Sequence, residues 1–294
     1  MKRTLLDCAT YLFAFFAIQA VVLIAVDLTY KGNLSSPTPI TIFSLTSSGL
    51  AIALFAWRRW TPCNGDYIKT RPWDVAFWAV VLAVGAMTPI GFIDDMLGVE
   101  LSDDLMEIFG GLMSSDLGLL SIAFVTPVAE EMVFRGAILR RLDEALGHRL
   151  RWVSIATTAL LFAAAHGNMA QGVSAFIMGL ALGWVYIRTR SIVPGIIIHW
   201  ANNTIAVLLA IFLPGTADMT LVEYFDGDIM RVAAMLVCSL MVAGAAIFQL
   251  NLRMHHSRRV SPRRAPQENL SAHKGASRQS APTTFASQSD KANF

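Results

Sequence analysis

Glu130 and Glu131 sit side by side in the run Pro127-Val128-Ala129-Glu130-Glu131-Met132-Val133-Phe134-Arg135, within a stretch otherwise apolar enough to cross a membrane. An ionised carboxylate at mid-bilayer costs about 2.5–3.5 kcal/mol even on lenient insertion scales, so two carboxylates and a guanidinium imply a polar site enclosed by other helices. On a helix Glu131 and Arg135 lie one turn apart and can pair, while Glu130 is turned away by about 100° and stays available as a general base. Pro127, one turn earlier, removes a backbone donor and can kink the helix to admit water or a peptide. Taken alone, the same residues could be a buried ion-pair network.

Two further groups share this apolar setting. Phe162-Ala163-Ala164-Ala165-His166 places an aromatic ring and an imidazole on one helical face, and Gly167, Asn168 and Gly172 weaken the helix just beyond. The alanines allow close approach of a neighbouring helix or a substrate. In His199-Trp200-Ala201-Asn202-Asn203, His199 and Asn203 are at i and i+4 and project together, with Asn202 nearly as well placed. A lone histidine is commonly a satisfied interior residue, and a His/Asn pair can simply bond helices together at about 0.6 kcal/mol per bond. Together, however, the three groups supply a base, two imidazoles and an amide donor.

Long apolar helices must position them. The chain of 294 residues is 55% apolar and 15% charged, with a mean hydropathy of +0.53, far from soluble averages. A spanning helix takes about 20 apolar residues, and about eight segments qualify, at roughly 9–27, 39–57, 74–93, 118–139, 152–167, 172–188, 191–213 and 230–250. The expected fold is therefore all-α: a polytopic membrane protein of about eight transmembrane helices around a polar intramembrane site. Residues 1–114 would hold three spans and an outer segment, 115–252 the core bearing the polar groups, and 253–294 a disordered basic tail rich in Ser, Arg, Pro and Gln.

Charge placement is consistent with that count. Lys2 and Arg3, then Arg58, Arg59, Lys69 and Arg71, then Arg140, Arg141, Arg149 and Arg151, then Arg188 and Arg190, and finally Arg253, Arg258, Arg259, Arg263 and Arg264 mark one side. Asp94, Asp95, Glu100, Asp103, Asp104, Glu107, Asp116, Asp218, Glu223, Asp226 and Asp228 mark the other. The positive-inside rule then puts both termini in the cytoplasm, most simply across a bacterial plasma membrane. The net charge of +2 hides this division and gives no support for nucleic-acid binding. The apolar run of the first span continues through Val21–Val26, past the signal-like string ending at Ala20, as an uncleaved anchor would. Cys8, Cys63 and Cys238 would lie at different depths and suggest neither a disulfide framework nor a thiolate metal site. Leu97, Leu101, Leu105, Ile108 and Phe109 alternate with acids, as in an amphipathic surface helix that could cap a site or merely connect two spans. Depth is the one discordant measure. Counted from the basic ends at about 1.5 Å per residue, Glu130 and His199 lie roughly 12–14 Å deep and His166 nearer 20 Å.

Glu-Glu-x-x-x-Arg, Phe-x-x-x-His and His-x-x-x-Asn, in that order on membrane helices, resemble the pattern of the CAAX-protease and bacteriocin-processing (CPBP, or Abi) family of intramembrane proteases. That family includes the type II CAAX prenyl endopeptidases, and the likeness covers roughly residues 115–210. It implies an intramembrane endopeptidase acting on a membrane-associated, hydrophobic or lipidated peptide or protein, embedded in the lipid bilayer. The His-Glu-x-x-His zinc helix of other metalloproteases is absent. The resemblance implies Glu130 and His166 as the groups that activate water, His199 and Asn203 as oxyanion partners, and Glu131 with Arg135 as structural support. It also implies zinc, for which Glu130, His166 and His199 are ligands of suitable type. Two alternatives use the same residues: a proton-coupled transporter, in which buried Glu and His form a relay, and a non-catalytic membrane scaffold held together by the polar cluster.

Overall fold

A computed structural model describes residues 1–257 apart from 33–35, 64, 70–71, 99–100, 214 and 216–218. Arg71, Glu100, Asp218 and the expected tail from 258 onward lie outside the described residues. Among those residues all regular structure is helical, as hydrocarbon demands of a chain whose backbone groups must be satisfied within each segment. The long elements are α1 (Lys2–Tyr30), α2 (Pro37–Trp57) and α3 (Trp73–Met96), then the shorter α4 (Asp103–Met113) and the composite α5 (Asp116–Leu146). They are followed by α6 (Arg151–Ala165), α7 (Met169–Thr189), α8 (Val193–Phe212) and α9 (Ile229–Ser257). The protein is an all-α polytopic membrane protein.

Seven of these helices are long and apolar enough to cross a bilayer. The segment expected at 152–167 is instead α6, whose 15 residues reach about 22 Å, short of the roughly 30 Å hydrocarbon thickness. Gly167, at φ 70, ends it in a conformation that suits glycine. Asn168 then starts α7 by accepting the Gln171 N–H at 2.9 Å. α6 and α7 form a tight antiparallel pair, so close that a Cβ on Gly179 would lie 2.9 Å from that of Ala159. The expected amphipathic segment is α4, N-capped by the Ser102 hydroxyl and packed on α2 with Leu112 buried.

α5 is the central element. α1 and α2 pack on one side of it, α6, α7 and α8 on the other, and α3 and α9 cover α7 and α8. Every residue from Glu131 to Leu139 is buried. That placement follows from its charges, because the only membrane helix bearing an internal Glu-Glu-Arg group has to be the one screened from lipid on all sides. α5 is also not a uniform α-helix: Ser121–Val125 and Glu131–Leu139 run in π-helical turns with Thr126–Glu130 between them. Such wide turns recur at functional positions.

The depth discrepancy has a physical explanation. Apolarity ends near Leu139, but α5 continues through Arg140–Leu146. There Asp143, buried, holds Arg190 at 2.6 Å and Arg151 at 3.3 Å. Glu130 thus stands about 20 Å above Asp143, and His166 about 22 Å above Arg151. The two side chains come out level once the helix, rather than its apolar portion, is measured.

Candidate functional site

A cavity of about 170 Å³ opens between α1, α2, α5 and the end of α6. Glu130 and His166 line it together, with Thr126, Ala129, Phe134 and Ala165 beside them. His166 is the last residue before Gly167 turns the chain, and its Nδ1 lies 2.9 Å from the Phe162 carbonyl. A carbonyl only accepts, so Nδ1 carries the hydrogen, in the tautomer whose lone pair is on Nε2. Asn168 braces the same turn by donating to the His166 carbonyl at 2.9 Å.

Behind Glu130 the second carboxylate is neutralised. Arg135 Nη1 donates to Glu131 Oε1 at 2.7 Å, with the two side chains 1% and 0% exposed. Removing one member of so buried a pair typically costs about 3–5 kcal/mol. The Arg135 guanidinium also stands over the Phe162 ring, 4.4 Å from its centroid. Phe162 in turn meets the rings of Phe134 at 5.0 Å, His166 at 4.9 Å and His199 at 5.8 Å. One aromatic side chain therefore touches all three polar groups found in the sequence.

His199 enters from α8, between the two glutamates: Nε2 is 3.5 Å from Glu130 Oε2 and Nδ1 is 3.4 Å from Glu131 Oε1. It does not line the cavity, and neither does Asn203. Asn203 donates through Nδ2 to the Ile122 carbonyl at 3.0 Å and accepts from Asn202 at 3.3 Å. The helices can come this near because residue 195 has no side chain, as a Cβ there would be 2.6 Å from Glu131 Oε2.

Glu130, His166 and His199 are metal donors by type. Among the described residues, however, no three His, Cys, Asp or Glu side chains gather closely enough to hold an ion. Both ring nitrogens of His199 face carboxylates. This arrangement does not fit a bound metal.

The far wall of the cavity is the part that motif spacing did not reveal. It comes from Phe15 and Gln19 of α1 and from Phe43, Ser44, Ser47 and Ser48 of α2. Ser44 meets Ser121 at 2.7 Å and Ser48 meets Thr126 at 3.1 Å, so hydroxyls tie α2 to α5 along the cavity edge. A signal was present in the sequence: Ser44, Ser47 and Ser48 recur at one-turn spacing in an apolar helix, and Gln19 stands alone in another.

Residues 114–205 match the family described as Type II CAAX prenyl endopeptidase Rce1-like. That span holds Glu130, Glu131, Arg135, Phe162, His166, His199 and Asn203. The chain is also similar to the membrane-embedded CAAX protease MroQ of Staphylococcus aureus (strain USA300), at 27% identity over 146 residues. The likeness covers 49% of this chain and 59% of that relative's length. No solved structure matches.

Proposed function

We propose, from the premise that residues 114–205 form a domain of the CAAX-protease family, that this protein is an intramembrane endopeptidase whose Glu130 activates water against a peptide bond. The observation that carries this reading is the division of labour between adjacent carboxylates: Glu131 is held by Arg135, while Glu130 faces the cavity together with His166.

In this mechanism a water in the cavity gives one proton to Glu130 as its oxygen attacks the scissile carbonyl. His166 Nε2 accepts the water's other hydrogen and aims its lone pair. The resemblance assigns the oxyanion to His199 and to the second amide hydrogen of Asn203, the first being engaged by Ile122; neither side chain lines the cavity here, so the substrate carbonyl has to enter past Glu130 to reach them. One such donor is typically worth about 100–1000-fold in rate. As the C–N bond breaks, protonated Glu130 returns its proton to the leaving amine. Glu131 and Arg135 support His199 and Phe162 from beneath. Zinc is a proposal of the resemblance alone, and no step here passes through it.

The substrate would be a hydrophobic or lipidated peptide presented from the bilayer, since a cavity lined by spanning helices is reached laterally or from a membrane surface. The basic groups around Asp143 and the acidic groups near Asp94 and Asp103 support a bacterial plasma-membrane topology with both termini cytoplasmic. The test is mass-spectrometric mapping of new peptide ends in membranes with wild-type protein, Glu130→Gln or His166→Ala at equal abundance. Specific ends that require Glu130 are expected. End profiles that do not differ among the three proteins would overturn the reading.

A further inference from the structure

The first π-helical turn of α5 leaves one backbone acceptor without a donor from its own helix. Thr126 N–H bonds the Ser121 carbonyl, five residues back. In that register the next donor, from residue 127, should reach the Ile122 carbonyl. Residue 127 is proline and has no N–H. The α-helical alternative donor, Thr126, is already committed to Ser121. What bonds the Ile122 carbonyl instead is Asn203 Nδ2, at 3.0 Å, from α8.

We propose that Pro127 and Asn203 act as one positioning device: the proline frees the Ile122 carbonyl, and the asparagine takes it up, locking α8 to α5 in rotation and depth. The lock matters because Asn203 lies one turn beyond His199 on the same helix face. It therefore sets where the imidazole stands relative to Glu130, at 3.5 Å, and Glu131, at 3.4 Å. An unbonded carbonyl in hydrocarbon is strongly unfavourable, so α8 cannot slide without losing this bond. Asn203 acts in this role as a positioning residue through Ile122, in addition to the oxyanion contact of the proposed mechanism, on which the kinetic arm of the test rests.

A double-mutant cycle with Asn203→Leu and Pro127→Ala tests the device. Pro127→Ala returns an N–H able to serve Ile122 from within α5. Asn203→Leu should lower the unfolding midpoint in detergent markedly in the native background, and by less than half as much in the Pro127→Ala background. Its loss in kcat should likewise shrink by about tenfold there, a coupling of ordinary size for residues in contact. Equal effects of Asn203→Leu in both backgrounds overturn the proposal and leave Asn203 with the oxyanion role alone. The stability arm needs no proteolysis, so coupled midpoints in a protein that cleaves nothing would remove the enzymatic reading and keep the device. A second measurement needs no Pro127 variant. With isoleucine carbonyls labelled with ¹³C, Asn203→Leu should move one amide I band to higher frequency, and an unchanged spectrum overturns the proposal.

Discussion

Replacing Gly195 by alanine tests how tightly the buried carboxylate is held. A Cβ at 195 would stand 2.6 Å from Glu131 Oε2, 3.4 Å from its Cδ and 3.8 Å from Leu182 Cδ2. The first distance is well inside van der Waals contact, so something has to move. If Glu131 swings away, it loses the 2.7 Å bond to Arg135 and leaves two uncompensated charges in the core, at a cost of about 3–5 kcal/mol. If α8 retreats instead, it carries His199 away from both glutamates. Either route predicts a destabilisation of several kcal/mol, opposite in sign to the helix-propensity gain of about 1 kcal/mol that Gly→Ala brings in an open helical position. Gly49, in α2 with nothing within 4 Å of its would-be Cβ, is the control. Unfolding midpoints in a denaturant series in detergent should fall sharply for Gly195→Ala and stay level or rise for Gly49→Ala, and peptide cleavage should be lost only in the former. Equal midpoints with activity retained in both would refute the claim that the Glu131 carboxylate is pinned against α8.

Phe162→Ala should cost about 3–5 kcal/mol through the cavity it leaves, whereas Phe162→Leu should cost about 2 kcal/mol, chiefly the desolvated cation–π contact with Arg135. A Phe162→Leu midpoint equal to that of the native protein would show that the ring face contributes nothing. At the loop before α9, the Thr220 N–H and hydroxyl reach Glu223 Oε2 at 2.8 and 2.9 Å, and these bonds hold the Glu223 carboxyl below its ordinary range. A depressed folded-state value gives stabilisation that is present above the unfolded-state value and lost as pH falls through the folded one. Amide exchange over Leu221–Asp226, corrected for intrinsic rates, should therefore accelerate on acidification in the native chain and not in Glu223→Gln; a flat profile in both refutes it. Exhaustive chelation should leave peptide cleavage intact, because no step derived above passes through a metal. Activity that disappears with the metal and returns with zinc would show that the donors gather around an ion on binding.

The local chemistry was legible wherever it depends on side-chain spacing along one helix. Glu131 and Arg135, read as one turn apart, pair at 2.7 Å, and Phe162 and His166 share a face with rings 4.9 Å apart. What spacing could not supply was the partner across the cavity. Gln19, Ser44, Ser47 and Ser48 stand about a hundred residues away from the motifs, and the one-turn spacing of the serines marks a polar face without saying which helix it meets until the helices are packed. The helix expected at 152–167 comes out differently bounded for a related reason. Hydropathy measures where apolar residues stop, whereas α6 stops at Gly167 and α5 continues seven polar-rich residues past Leu139.

The π turns of α5 explain why the site could not be built from motif residues alone. Side chains donate to backbone carbonyls at these wide turns as well. Ile122 is served by Asn203 from α8, Met132 by the Thr61 hydroxyl beyond α2, and Gly136 by Arg140 Nε at 3.0 Å. Arg140 also clasps the Trp60 carbonyl at 2.9 Å, and a Cβ on Gly136 would collide with Thr61 at 2.3 Å. The segment that carries Glu130 toward the cavity and Glu131 away from it is therefore held by Thr61 and Arg140, outside the catalytic pattern, as well as by Asn203 within it. A chain carrying Glu-Glu-x-x-x-Arg without a Thr61, an Arg140 and an Asn203 would offer the same carboxylates on a helix free to relax to α geometry. Both side chains would then rotate relative to His166 and His199, and the available glutamate would no longer share the cavity with His166.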